Sequence, residues 1–374
     1  MKAVILVGGE GKRLRPLTCN IPKSMVPIVN RPFLEHMINH LKEHGIDDII
    51  LALCYLPHQI QSYFGDGSNF GVKLTYVIED HPLGTAGAVK NVEAHLDETF
   101  FVFNGDVFTD LDLSTMMRLH RQRGAKITIA LTPVDDPTIY GVVETGAQGE
   151  VQRFIEKPRP EAVTTNMINA GTYTAEPDVL SYIPRGSSFT FERELFPLLL
   201  ERGEPIYGYP SDAYWIDIGT PEKYLKLHHD LLTGRVRMRF PCQSAGEGMW
   251  VEGSCDIHPQ AQLEGPTVIG RDCVIGPRVQ IKGPSVIGQG CNIGSDSLIE
   301  GAIVWPHARL GQGVRLRNCV VAESAFIGDR SHIAEGCVLG NNVVIGCDET
   351  LTPGTRVWPR GIHSPLNRRR KCAY

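Results

Sequence analysis

The sequence predicts an α/β fold in two parts: a mostly parallel sheet covered by helices, then a parallel β-helix. Three observations predict it. In the first part, short apolar runs alternate with helical periods: KAVILV (2–7), then RPFLEHMINHLKEHG (31–45), then DIILAL (48–53). From residue 251 an aliphatic side chain recurs at every sixth position. Between the two parts, RVRMRFPCQSAGEGM (235–249) has no period.

Each element follows from its residues. The runs 2–7, 48–53, LTYVIE (74–79), TFFVFN (99–104) and KITIALT (126–132) are rich in β-branched and aromatic residues and read as buried strands. Phe33, Leu34, Met37, Ile38 and Leu41 stand at helical spacing, with Pro32 near the start and Gly45 as a stop. Strand, helix, strand in this rhythm argues a parallel sheet with crossover helices. Ligands in such sheets gather where strand C-termini open into loops, which is where LVGGEGKRLR (6–15) and FNGD (103–106) fall.

In the second part, Val251, Ile257, Leu263, Ile269, Ile275, Ile281, Ile287, Ile293 and Ile299 stand six apart. The phase slips by one near Val304 and again near Val321, and Ile327, Ile333, Leu339 and Ile345 resume it. A hexapeptide period of this kind stacks coils that bury a continuous core. The domains expected are therefore 1–234, a linker at 235–250, the β-helix at 251–358 and a basic tail at 359–374 that holds Arg368–Arg369–Arg370–Lys371.

Composition limits the function. The chain has 374 residues, 42% hydrophobic and 21% charged, which is too apolar for disorder and long enough for two domains. A net charge of −5 gives no support for nucleic-acid binding, and the basic run at the C-terminus reads as a solvated tail. The start, MKAVILVGGEGKR, is neither a signal peptide nor a membrane span. The expectation is a soluble cytoplasmic protein with no nucleic-acid or membrane partner. Of the ten cysteines, Cys255, Cys273 and Cys291 stand eighteen apart, as do Cys319 and Cys337. They share a slot with Ala261, Thr267, Ser285, Ser297 and Ala325, so they read as small fillers and not as metal ligands or disulfides. Unpaired thiols in this number suit a reducing compartment.

The stretch LVGGEGKRLRPLT (6–18) carries the first functional signal. It is not the dinucleotide fingerprint, which needs glycine where Leu14 stands, nor a P-loop, which needs Ser or Thr where Arg13 stands. Bare backbone N–H groups in a turn after a buried strand still form an anion cradle, to which Lys12, Arg13 and Arg15 add charge. An ordinary turn with solvated charges is the alternative.

Taken in order, GGEGKRLRPLT with IPKSMVP (21–27), EDHPLGTAGA (79–88), FNGDVFTDLD (103–112), FIEKP (154–158), NAGTY (169–173) and YWIDIGTPEKY (214–224) resemble the nucleotidyltransferases that make nucleotide sugars from sugar 1-phosphates. With the hexapeptide part behind them, they resemble most the branch that uses GTP and mannose 1-phosphate. The resemblance covers nearly the whole chain and implies a Rossmann-like catalytic domain followed by a left-handed β-helix. It also implies a reaction in which a sugar phosphate oxygen attacks the α-phosphorus of a nucleoside triphosphate and pyrophosphate leaves.

Residue roles follow from that resemblance. Leu6, Gly8, Gly9, Gly11, Lys12, Arg13, Glu79, Pro82, Gly84, Thr85 and Asp106 would bind the nucleotide. Arg13, Lys23 and Lys157 would be catalytic, with Arg13 and Lys23 bearing on the charge that develops toward pyrophosphate. Gly141, Glu156, Lys157, Asn169 and Gly171 would bind the sugar phosphate, and Asp106 with Asp217 would hold Mg2+, a hard cation suited to carboxylate and phosphate oxygens. Singly, Asp106 or Lys157 reads as a solvated surface charge.

Two positions depart from the pattern: Lys12 stands where Thr is usual, and Ser24 where Pro is usual. Glu79 stands where relatives that use thymidine or uridine nucleotides place Gln; a carboxylate matches the N1–H and N2–H2 donors of guanine. Glu79 capping the next turn is the alternative. Thymidylyl, uridylyl or adenylyl transfer to glucose 1-phosphate stays open. So do a bifunctional acyltransferase using His258, His307 or His332, and a non-catalytic regulatory homologue. The β-helix is expected to assemble a homo-oligomer.

Overall fold

The computed structural model describes residues 1–236, 243–246 and 248–363. The basic run Arg368–Lys371, and residues 237–242 and 247 of the aperiodic stretch, lie outside the described residues. The chain forms two compact units: Met1–Glu10 with Leu34–Asp217, and Gly11–Phe33 with the chain from Ile218 onward.

The first unit is built on a nine-stranded sheet. Lys2–Val7 lies parallel between Asp48–Leu53 and Phe100–Asn104, and Lys73–Ile78 extends that half in parallel. The expected strands all form, within a residue of the expected ends. The other half is mixed: Met167–Ala175 pairs antiparallel with Phe100–Asn104 and Ile127–Pro133, Gly141–Thr145 pairs antiparallel with Val151–Glu156, and Ile206–Pro210 runs parallel to Ile127–Pro133. For the hairpin Gly141–Thr145 with Val151–Glu156 the physical reason is the length of the connection. A five-residue link between Thr145 and Val151 (151 − 145 − 1 = 5) can make only a hairpin, whereas a parallel step needs a crossover. Val4, Phe100, Val102, Tyr173, Phe191 and Phe196 are fully or almost fully buried in one core under the sheet.

In the second unit, three parallel sheets stack the hexapeptides in register. One core ladder runs Val251, Ile269, Ile287, Val304, Val321, Leu339, Val357. The second runs Ile257, Ile275, Ile293, Leu310, Ile327, Ile345, and the third Leu263, Ile281, Ile299, Leu316, Ile333, Leu351. The two phase slips are corners one residue shorter. Ile287 pairs with Val304 and Val304 with Val321, steps of seventeen (304 − 287 and 321 − 304) that leave the ladder unbroken.

The small-residue slot has a use. Cys273 Sγ donates to Gly288 O at 3.1 Å, Ser297 Oγ to Gly311 O at 3.0 Å, Ser331 Oγ to Gly346 O at 2.7 Å and Cys337 Sγ to Thr352 O at 3.1 Å. A thiol or hydroxyl there satisfies a backbone carbonyl that the ladder leaves over. All eight described cysteines are free, and burial pushes the Cys319 and Cys337 thiols up, away from reactivity. His307 and His332 are exposed, and His258 Nδ1 accepts the Gln260 N–H at 3.1 Å in a turn, so the three histidines sit at corners and on the surface.

The segment Gly11–Phe33 packs on this coil and on the helix Pro221–Leu232. Tyr224 Oη donates to Pro27 O at 2.5 Å, Asn30 Nδ2 to Ile287 O at 3.0 Å, and Arg356 Nη1 to Arg15 O at 3.2 Å. Among the described residues no helix is long and apolar enough to cross a membrane.

Candidate active site

Two strand ends in the first unit meet side by side. Leu6 pairs with Asn104, and the Gly105 N–H donates to Leu6 O at 3.0 Å, which turns the chain and sets Asp106 just beyond the tip of the first strand. The strand Trp215–Asp217 then pairs antiparallel with Val107–Thr109, so that Asp217 lies opposite Val107 and beside Asp106 in sequence register. The ribbon thus sets Asp217 opposite the residue that follows Asp106, on a separate two-stranded sheet and not at an edge of the main one. The reason is the reversal at Gly105: the chain leaves the sheet before Asp106, and its next strand has only the ribbon partner.

The ribbon is anchored by Tyr214 N to Asp110 Oδ1 at 2.7 Å and by Trp215 Nε1 to Ala170 O at 2.8 Å. Asp217 is buried and its Oδ2 accepts the Tyr140 hydroxyl at 2.6 Å. A buried carboxylate beside a second one favours a cation between them. Among the described residues no group of three or more His, Cys, Asp or Glu could hold a metal, so the two carboxylates are the protein groups that could contribute to one here. That set fits Mg2+, which keeps waters and phosphate oxygens in its remaining positions.

Glu79 follows the strand Lys73–Ile78, and its N–H donates to Leu53 O at 2.7 Å. Its side chain is buried, with Oε2 accepting the Leu83 N–H at 3.0 Å; Oε1 lies 3.9 Å from where a Cβ on Gly8 would stand. Capping of the turn therefore occurs, but it uses one oxygen and leaves the other near Gly8. Burial raises the Glu79 pKa, and the Leu83 N–H pulls it partly back. Gly84 has φ +72, and a Cβ there would come within 2.7 Å of Phe189 O, so the glycine is required by the close approach of that strand-like segment. Thr85 Oγ1 donates to Glu192 Oε2 at 2.9 Å and accepts the Phe191 N–H at 3.0 Å, which commits its hydroxyl to the scaffold. Pro82 is exposed.

Gly141 pairs with Glu156, and a Cβ on it would stand 2.5 Å from Phe154 Cζ and 3.0 Å from Glu156 Oε2. Lys157 has φ 49, a costly conformation for a residue with a Cβ, and its N–H donates to Tyr140 O at 2.9 Å. Its Nζ is exposed, 3.7 Å from Glu156 Oε1. Asn169 Oδ1 accepts the Gly171 N–H at 2.9 Å, and its Nδ2 donates to the Tyr173 hydroxyl at 2.8 Å. Tyr173 in turn donates to Glu192 Oε1 at 3.2 Å. A continuous chain, Asn169–Tyr173–Glu192–Thr85, thus joins the NAGTY strand to the start of the Gly84–Asn91 helix. Burial raises the pKa of Tyr173, and it raises that of Glu192 against the hydrogen bonds from Thr85 and Tyr173, which pull it partly back.

Tyr140 and Glu192 escape a reading by motif. Tyr140 stands immediately before Gly141, which is a faint signal; Glu192 has none. Of the expected residues, Leu6, Gly8, Gly9, Glu79, Pro82, Gly84, Thr85, Asp106, Gly141, Glu156, Lys157, Asn169, Gly171 and Asp217 belong to the first unit.

Gly11, Lys12, Arg13 and Lys23 belong to the second. There Thr18 Oγ1 donates to Gly11 O at 2.8 Å, and a Cβ on Gly11 would lie 3.1 Å from Lys23 Cβ, so the turn and Lys23 are neighbours. Lys12 and Arg13 are exposed in a short 3-10 turn, Lys12–Leu14, whereas Lys23 is buried. The buried Ser24 hydroxyl makes no hydrogen bond among the described residues, so nothing local depends on serine where Pro is usual.

The profile of the family described as Nucleotidyl transferase matches residues 2–234. The chain belongs to this nucleotidyl transferase family. Its substrates are of the kind such enzymes use, a nucleoside triphosphate and a sugar 1-phosphate, and the family generally uses a divalent metal ion. Residues 247–351 match the "EIF2B subunit epsilon LbH domain", in keeping with a left-handed β-helix. The chain is 42% identical over 271 residues to mannose-1-phosphate guanylyltransferase of Mycobacterium tuberculosis, covering 72% of this chain and 75% of that protein. It is 36% identical over 332 residues to UTP–glucose-1-phosphate uridylyltransferase of Synechocystis, covering 84% and 86%. The crystal structure of HddC from Yersinia pseudotuberculosis complexed with GMP-PN superposes with a TM-score of 0.53 at 32% identity, over 60% of this chain and 97% of that one.

Proposed function

We propose that this nucleotidyl transferase makes GDP-mannose and pyrophosphate from GTP and mannose 1-phosphate. The observation that carries the choice of base is Glu79: a buried carboxylate with one oxygen on the Leu83 N–H and the other near Gly8. It can accept from N1–H and N2–H2 of guanine, a pair of donors that uracil and thymine lack. The mycobacterial guanylyltransferase and the HddC complex with GMP-PN support the same base. A second reading, uridylyl transfer to glucose 1-phosphate, is favoured by the Synechocystis relative.

In the proposed reaction an oxygen of mannose 1-phosphate attacks the α-phosphorus of GTP in line, a new P–O bond forms, and the bond to pyrophosphate breaks. Leu6, Gly8, Gly9, Gly11 and Lys12 cradle the nucleotide, and Arg13 and Lys23 neutralise charge that grows on the departing pyrophosphate. Lys157 holds the sugar phosphate as a point charge beside Glu156, while Asn169, Gly141 and Gly171 shape the sugar side; the second lone pair and second N–H of the Asn169 amide remain for hydroxyls. Asp106 and Asp217 would hold Mg2+, which would supply Lewis-acid neutralisation of the triphosphate. Tyr140 orients Asp217.

We further assign residues 1–234 the chemistry and 251–358 assembly and support. Exposed Phe326, Val344 and Ile362 stack in register on one β-helix face, which supports a homo-oligomer through that part. The free cysteines support a reducing, cytoplasmic setting. The test is a pyrophosphate-release screen crossing four nucleoside triphosphates with mannose, glucose, galactose and N-acetylglucosamine 1-phosphates. GTP with mannose 1-phosphate is expected to turn over fastest. Preference for UTP or dTTP with glucose 1-phosphate overturns the base and sugar and leaves the reaction class standing.

A further inference from the structure

Within the second unit, the turn that follows Lys23 is strained and held from three sides. Val29 has φ 46 and Asn30 φ 65; a left-handed conformation is a true outlier for a buried β-branched residue such as Val29. Such strain persists only where the surroundings over-determine it. Here Tyr224 Oη donates to Pro27 O at 2.5 Å, the Val29 N–H donates to His228 Nε2 at 3.1 Å, and Asn30 Nδ2 donates to Ile287 O at 3.0 Å. Since Nε2 accepts, His228 carries its proton on Nδ1, which lies 3.0 Å from Tyr224 O and donates to it.

Tyr224 is fully buried, and burial drives its pKa far up, so its hydroxyl keeps the single proton it gives to Pro27 O. The same oxygen accepts Trp305 Nε1–H at 2.9 Å, and Trp305 belongs to the β-helix, directly after the strand Ile303–Val304. A buried relay therefore runs from the β-helix through the Pro221–Leu232 helix to a backbone carbonyl four residues beyond Lys23 (27 − 23 = 4).

We infer that Tyr224 is a positioning residue for nucleotidyl transfer: with Trp305 and His228 it fixes the Pro27–Asn30 turn and, through that turn, the place of Lys23. The β-helix is then part of what aims a catalytic cation and not only a means of assembly. This rests on the reading of Lys23 as a residue that bears on the triphosphate. A small displacement of such a group is costly, because catalysis depends on its geometry.

The test is a double-mutant cycle on the full chain with Tyr224→Phe, which keeps the ring and removes the donor, and Lys23→Ala. The readouts are kcat/KM for GTP at saturating mannose 1-phosphate, KM for mannose 1-phosphate, and melting temperature. Tyr224→Phe alone is expected to lower kcat/KM for GTP about tenfold. In the Lys23→Ala background the same change is expected to cost less than about twofold, the coupling of residues that act through one another. KM for mannose 1-phosphate stays near that of the parent. An equal factor in both backgrounds overturns the inference, as does a fall in melting temperature with no change in kcat/KM. Parent-like rates for Lys23→Ala alone remove the reading of Lys23 itself, a separate failure. If Tyr224→Phe does not fold, Asn30→Ala, which releases the same turn from Ile287 O, carries the cycle with the same two outcomes.

Discussion

Tyr140 donates its hydroxyl hydrogen to Asp217 Oδ2 across 2.6 Å, and the backbone carbonyl of the same tyrosine accepts the Lys157 N–H at 2.9 Å. One residue thus ties the proposed metal ligand to the lysine proposed for the sugar phosphate. Tyr140→Phe is expected to raise the magnesium needed for half-maximal rate by about 10-fold or more, the usual effect of losing a group that orients a ligand. Asp106→Asn and Asp217→Asn are expected to lower kcat about a hundredfold or more, the loss of one strong electrostatic stabiliser. If both Asn variants stayed within a few-fold of the parent at saturating magnesium, the metal would lie elsewhere.

The buried Glu79 should make nucleotide choice depend on pH. Its ionised form accepts the two guanine donors, and protonation removes an acceptor, so discrimination is present above its pKa and lost as pH falls through it. Because burial raises that pKa, the loss should begin at a higher pH than for an ordinary carboxylate. The ratio of kcat/KM for GTP to that for UTP, measured from neutral pH downward, checks this. In Glu79→Gln the ratio should be small and flat; a flat profile in the parent would disprove the role.

Gly141→Ala places a methyl 2.5 Å from Phe154 Cζ and 3.0 Å from Glu156 Oε2, so the Phe154 ring must shift and Glu156 must give slightly. The expected cost is about 1–3 kcal/mol in stability, as for other overpacked sites. KM for the sugar phosphate should rise more than KM for GTP, read by varying each substrate in turn. Equal changes in both would detach Glu156 from the sugar side.

Lys12 and Arg13 are both exposed in the same short turn, yet they should behave differently. Arg13→Ala is expected to cost about a hundredfold in kcat if its charge stabilises the departing pyrophosphate. Lys12→Thr, which restores the usual residue, should change the rate only a few-fold. Similar losses for the two would assign the charge to the turn as a whole.

Ending the chain at Thr233 removes Trp305, Ile287 and Arg356, the partners of Tyr224, Asn30 and Arg15. The shortened protein is expected to lose nucleotidyl transfer together with any assembly, seen in pyrophosphate release and in solution mass. A truncated monomer with parent rates would confine the β-helix to assembly.

How much was legible varies with the locality of the signal. NAGTY and FIEKP point to Asn169, Glu156 and Lys157, but nothing in the sequence pairs Tyr173 with Glu192 or Tyr140 with Asp217, since those hydrogen bonds join elements with no shared period. The antiparallel strands Gly141–Thr145 and Val151–Glu156 carry mixed burial and weak alternation, so they were not legible as strands beforehand.

The sequence by itself determined the β-helix, down to the corners one residue short at Val304 and Val321, because each coil meets only its neighbours and every turn repeats the same burial demand. It likewise determined the parallel strands of the first unit, whose apolar runs must be covered on both faces. Only the tertiary structure decided that Gly11–Phe33 packs with the β-helix, and that Asp217 reaches Asp106 on a ribbon outside the main sheet. Those outcomes rest on a few contacts between distant positions, such as Asn30 with Ile287 and Val107 with Asp217, which leave no periodic trace in the chain.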